Sequence, residues 1–132
     1  MRTICRLVVS YATLLFIFLQ QSSSTTTITN AIVVGGVTHS SARFWVRCAG
    51  AGTVRVELST SPAFSSAILS TQESALPERN FATIVAAEGL HANTRYYYRA
   101  RLDGAAQERV GSFLTFPLPG AASTFTFAFG SC

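Results

Sequence analysis

Apolar residues recur at every second position in several of the hydrophobic stretches after residue 30, and no segment keeps a helical period for long. In "SARFWVRC", Ala42, Phe44, Val46 and Cys48 fall on one face while Arg43, Trp45 and Arg47 fall on the other. Successive side chains of an extended chain point to opposite faces, so this is a strand with one face in a core. "TVRVELS" repeats the pattern, with Val54, Val56 and Leu58 inward and Arg55 and Glu57 outward. In "NTRYYYRARLDG", Tyr96, Tyr98, Ala100 and Leu102 alternate with Arg95, Tyr97, Arg99 and Arg101. A chain patterned in this way is confined to layered sheets, each burying one side.

The remaining elements follow from turn residues. "AIVVGGV" (Ala31 to Val37) opens the set, its Gly35-Gly36 pair marking a bulge or kink. Residues 61–80, rich in Ser and Pro, read as loop with one short strand around Ala67 to Thr71. "FATIVAAEGL" is the next strand, Asp103-Gly104 is a turn, and "ERVGSFLTF" closes the domain. About seven short strands between residues 31 and 116 predict an all-β, two-sheet sandwich of the fibronectin type III or immunoglobulin-like kind. Leu90 stands six residues before Tyr96, the spacing of a tyrosine corner, whose phenol oxygen bonds back to upstream backbone. Residues 117–124, "PLPGAAST", have linker character, and "FTFAFGSC" (residues 125–132) reads as the first strand of a further domain.

Residues 1–24 have a different character. Arg2 and Arg6 precede an apolar run of about 13 residues, Leu7 to Leu19, and then a Gln/Ser/Thr segment. That is the layout of a secretory signal peptide, with Ser22 and Ser24 as small residues for cleavage after Ser24. A helix needs about 20 residues to cross the bilayer, so a retained anchor is the less favoured reading. Export to the extracellular space is the expectation, with membrane contact only if the signal is retained. Cleavage would leave Cys48 and Cys132, which an oxidising compartment would allow to pair. Cys48 lies within a strand and also reads as a plain core residue.

Only 12% of the residues are charged, and the ten basic residues, all arginine, exceed the acidic ones by four. So small and scattered an excess does not make a nucleic-acid footprint. Groups for catalysis are scarce: His39 and His91 sit in turns, Asp103 is the one aspartate, and the glutamates are dispersed. Neither a phosphate-cradling loop nor metal-ligand spacing is visible. Trp45 between Arg43 and Arg47, and Tyr97 between Arg95 and Arg99, read as packing residues or as one aromatic and arginine face. A stand-alone secreted module using that face for a carbohydrate or protein partner is the alternative function.

Taken in order, "VTHSSARFWVR", "VRVELSTSPAFSSA", "GLHANTRYYYRARLDG", "VGSFLTFPLPG" and "FTFAFGSC" resemble the N-terminal region of alkaline phosphatase D (PhoD-like) enzymes. The "L-x-x-N-T-x-Y-Y-Y" pattern is shared with the fibronectin-like domains of purple acid phosphatases, and the final "FGSC" favours the PhoD-like family. The resemblance implies a fibronectin-like domain ahead of a metallophosphatase domain that cleaves phosphate monoesters and diesters. In that family the cysteine ending this motif gives its thiolate to iron, beside calcium ions. By that resemblance Cys132 is a metal ligand, while the other ligands would lie downstream in the catalytic domain, the implied partner. The expectation is therefore a fragment of a secreted hydrolase that does not turn over phosphate esters or hold its metals firmly alone. Bacterial members often carry a twin-arginine signal, which this chain lacks.

Overall fold

A computed structural model describes residues 26–126 and 128–130. Nine strands appear among them: β1 (Val33–Gly35), β2 (Ser41–Arg47), β3 (Gly52–Ser59), β4 (Ile68–Leu69), β5 (Glu73–Ala75), β6 (Ala82–Glu88), β7 (Arg95–Leu102), β8 (Ala105–Ala106) and β9 (Gly111–Leu114). One sheet runs β1-β2-β6. In the other, β3 and β7 form the centre; β4 and β5 pair with successive parts of β3, and β8 and β9 with successive parts of β7. All pairings are antiparallel. Counting each divided edge once, nine strands occupy seven positions in two facing sheets, the sandwich expected from the alternation.

The predicted inward residues fill the space between the sheets. Ala42, Phe44, Val46, Val54, Val56, Leu58, Val85 and Ala100 are completely buried, and Cys48 is nearly so. Phe44 from the smaller sheet meets Tyr98 and Phe113 of the larger, with ring centroids 5.2 and 5.7 Å apart. Tyr96 stacks on Phe113 at 5.9 Å. These tilted and offset contacts suit aromatic quadrupoles and bury large apolar areas. Gly111 lies directly opposite Tyr98 in the ladder. A Cβ at that position would overlap the Tyr98 ring, so the absent side chain is what lets the ring lie flat across the strand.

Several boundaries differ from the sequence expectation. The first strand, expected over Ala31 to Val37, spans only Val33–Gly35, and it ends where Gly36 takes a positive φ of 53° and turns the chain, at the glycine pair read as a bulge or kink. The segment 61–80 holds β4, β5 and a single 3₁₀ turn (Pro77–Arg79), where one short strand was expected. Between the β3 partners of Leu69 and Glu73 lie Arg55 and Val56, whereas three residues separate Leu69 from Glu73. That extra residue is a β-bulge. The Ser70 hydroxyl supports it, accepting the Val56 N–H at 2.8 Å and donating to the Thr71 carbonyl at 2.7 Å. Thr71 then reaches the other sheet, its N–H bonding the Ala86 carbonyl at 2.8 Å. The Asp103-Gly104 turn has φ values of 49° and 84°, as a tight hairpin requires, and β8 follows it where no strand was read.

The tyrosine corner is present. The His91 N–H donates to the Tyr96 hydroxyl oxygen at 3.0 Å. Thr115, fully buried, reinforces the same loop by donating to the His91 carbonyl at 2.6 Å and accepting the Thr94 N–H at 2.9 Å. Nothing in the local pattern had marked Thr115. Phe125, Thr126 and residues 128–130 lie outside any strand, with Phe125 and Phe129 exposed to solvent. The signal-peptide reading of residues 1–24 falls outside the described residues, as do residues 127, 131 and 132.

Two substitutions check this packing. Tyr96→Phe removes the acceptor for a partly buried N–H and is expected to cost about 1 kcal/mol; an unchanged denaturation midpoint would contradict the corner. Gly111→Ala must push the Tyr98 ring off its strand and away from Phe44, at a cost of about 1–3 kcal/mol. Chemical denaturation read by tyrosine fluorescence measures both, and a neutral Gly111→Ala would show that the ring moves freely.

Candidate functional site

The outer faces of the two sheets carry what chemistry the described residues offer. On the larger sheet, the β3–β7 register sets Arg55 opposite Arg101 and Glu57 opposite Arg99. Arg99 Nε stands 2.7 Å from Glu57 Oε2, and Arg101 Nη1 stands 3.5 Å from the same oxygen. The Arg99 guanidinium also lies 4.2 Å from the centre of the Phe64 ring, a cation–π contact. Glu57 points away from the core, as its outward position in the alternation predicts, but is only 7% exposed. The hydrogen bond from Arg99 holds its carboxyl below the usual range, against the opposing effect of burial, and the positive charges of Arg99 and Arg101 add to the lowering.

Trp45 and Tyr97 do not meet. Trp45 lies half-buried on the outer face of the smaller sheet, between Val33 of β1 and Ile84 of β6, both of which are more than half exposed. Tyr97 lies on the outer face of the other sheet, with Ser59 and Ser112 as its cross-strand neighbours. The single aromatic and arginine face considered from the sequence is therefore not formed. Alternation told which residues point outward, but not that β2 and β7 belong to different sheets.

The remaining candidates are placed as follows. Cys132 lies outside the described residues. Cys48 is a buried thiol, 2% exposed, with no disulfide among the described residues. Burial pushes its thiol pKa up, and the negative charge of Asp103 pushes it further. That disfavours the reactive thiolate and fits a core residue. His39 is partly exposed and His91 exposed, both in the loops that the sequence indicated. The Asp103 carboxylate accepts the Thr53 N–H at 2.7 Å and the Thr53 hydroxyl at 3.1 Å, which ties the β7–β8 turn to the start of β3. Among the described residues, no three His, Cys, Asp or Glu side chains are grouped so that they could hold a metal ion.

Glu57 provides a pH test. Its folded-state pKa is depressed, so its stabilisation is present above the unfolded carboxylate value and is lost as pH falls through the lowered folded value. Glu57→Gln is expected to cost about 1–3 kcal/mol at pH 7. The gap from the parent should close in acid. A gap that stays constant down to pH 2 would show that shape, not charge, is what Glu57 contributes.

Residues 12–117 match the family model described as the PhoD-like phosphatase N-terminal domain. A solved structure of PhoD superposes with a TM-score of 0.62 at 27% sequence identity, covering 70% of this chain and 20% of that one. This chain thus corresponds to a minor part of the PhoD chain. The sensor domain of the anti-sigma factor RsgI4 from Pseudobacteroides cellulosolvens, in a short form, superposes with a TM-score of 0.53 at 14% identity, covering 74% of this chain and all of that one. At that identity the likeness is one of fold. A comparison with curated proteins gives no match. With the sandwich, the tyrosine corner and a family match spanning most of its length, the chain belongs to the PhoD-like phosphatase N-terminal domain family.

Proposed function

We propose that this chain is the accessory module of a secreted, metal-dependent phosphomonoesterase and phosphodiesterase whose chemistry resides in a separate catalytic domain. The observation that carries the reading is the extent of the PhoD match. The domain is aligned over 70% of this chain but occupies only 20% of the PhoD chain. In this reading the catalytic groups of such an enzyme lie among residues for which this sandwich has no counterpart.

In this reading residues 1–24 direct export and are removed, and 117–124 link the sandwich to the catalytic domain. Cys132 is the one residue of the chain that would enter the metal site. A thiolate is the chemical form that iron binds, and coordination itself removes the thiol proton. The metal, when bound, supplies Lewis-acid polarisation of the phosphoryl oxygen. Calcium would rest on the oxygen ligands of the catalytic domain. The sandwich contributes a rigid platform: a closed core and a pinned β6–β7 loop give the linker a fixed point of departure.

The test extends the reading frame beyond the Cys132 codon and compares the extended protein with the present chain, both supplied with iron and calcium, on a chromogenic phosphate ester. The extended protein is expected to turn over and the present chain not to. Cys132→Ala in the extended protein is expected to lower activity by about 100-fold or more, with loss of bound iron. Turnover by the present chain alone, or no metallophosphatase sequence downstream, would overturn the proposal.

A further inference from the structure

The pairing of Arg55 with Arg101 calls for a partner that the described residues do not supply. Directly opposed residues on antiparallel strands carry their Cβ atoms roughly 4.5–5.5 Å apart, and like charges so placed destabilise the sheet. The Glu57 carboxylate, on the same strand as Arg55, is engaged at 2.7 Å by Arg99 and at 3.5 Å by Arg101. Asp103 is turned to Thr53. Arg101 also donates to the Gly104 carbonyl, but Arg55 Nε is shielded from solvent and has no hydrogen-bond partner among the described residues. A buried donor without an acceptor costs free energy.

The second observation is the shape of the surface beside these two arginines. The bulge in the β4–β5 edge falls opposite Arg55 and Val56, and Thr71 is drawn away to the other sheet. What remains is an open groove of about 440 Å³ whose lining includes Arg55, Arg101, Gln72, Thr53 and Glu57. A groove of that size has room for a small ion beside the two arginines, which reach it from neighbouring strands. The Gln72 amide is a further donor on the same lining.

We propose that this groove is an oxyanion site, taking a phosphate-shaped ion between the Arg55 and Arg101 guanidinium groups, with Gln72 as third donor. Guanidinium presents a planar fork of N–H donors that matches the oxygen pairs of such an ion. The site is on the outer face of the sandwich and is independent of the catalytic role proposed above. It needs neither Cys132 nor a second domain.

Thermal unfolding of the full chain tests it, with inorganic phosphate compared against chloride at equal ionic strength, for the parent and for Arg55→Gln and Arg101→Gln. The parent Tm is expected to rise saturably, on the order of 5–10 °C at tenfold excess over Kd, and both variants to lose that rise. Without phosphate, Arg55→Gln should match or exceed the parent, because an opposed charge has been removed. No rise in the parent, or a non-saturating rise shared by all three proteins, which is the general salting effect of phosphate, would overturn the proposal. Should a variant fail to fold, the Arg55 Nε–H resonance of the parent decides. A saturable shift on phosphate titration supports the site, and an unmoved resonance refutes it.

Discussion

The contact of Phe44 with Tyr98 and Phe113 is what makes two sheets into one domain. Phe44 comes from the three-stranded sheet and the other two rings from the larger one. Each sheet alone would expose an apolar face; packed together, they remove both from water at roughly 25 cal/mol per Å². The arrangement depends on a residue with no side chain, since Tyr98 can lie over its neighbour only because that neighbour is Gly111. With the rings in place, Tyr96 stacks behind Phe113 and its hydroxyl reaches the β6–β7 loop. The core and the loop are thus parts of one aromatic assembly.

The surface is organised differently, through few charges placed with consequence. On the larger sheet, Glu57 sits between Arg99 and Arg101 while Arg55 faces Arg101 across the ladder. Burying a carboxylate is tolerable when it is both paired and hydrogen-bonded, as Glu57 is. The same economy leaves Arg55 Nε without an acceptor among the described residues. In a chain with 12% charged residues, such an imbalance is not diluted by neighbours. The metal-binding role proposed for Cys132 and the anion-binding role proposed for the outer face of a sheet are accordingly separate.

Much of the fold was legible in advance because a strand writes its exposure into a two-residue period. The inward sets of β2, β3 and β7 are buried as the alternation requires, with Tyr98 alone only partly so. The tyrosine corner was legible because both its members lie within one short segment. Two of the short edge elements were not. β5 and β8 are two or three residues long, too short for a period to show, and exist because β3 and β7 offer unpaired edges. Thr115 was missed for a similar reason: its partners, His91 and Thr94, are more than twenty positions away.

The sequence by itself determined which side of each strand meets the core, where the chain turns, and the family to which the domain belongs. Those properties are local, or follow from the order of local motifs. Only the tertiary structure decided which strands became neighbours, and so which outward residues share a surface. It set Trp45 and Tyr97 on opposite faces, gave Glu57 its two arginines, and left Arg55 facing Arg101 beside a bulge. The physical reason is that strand register is chosen by the fit of the buried face. The outward side chains take whatever company that choice imposes.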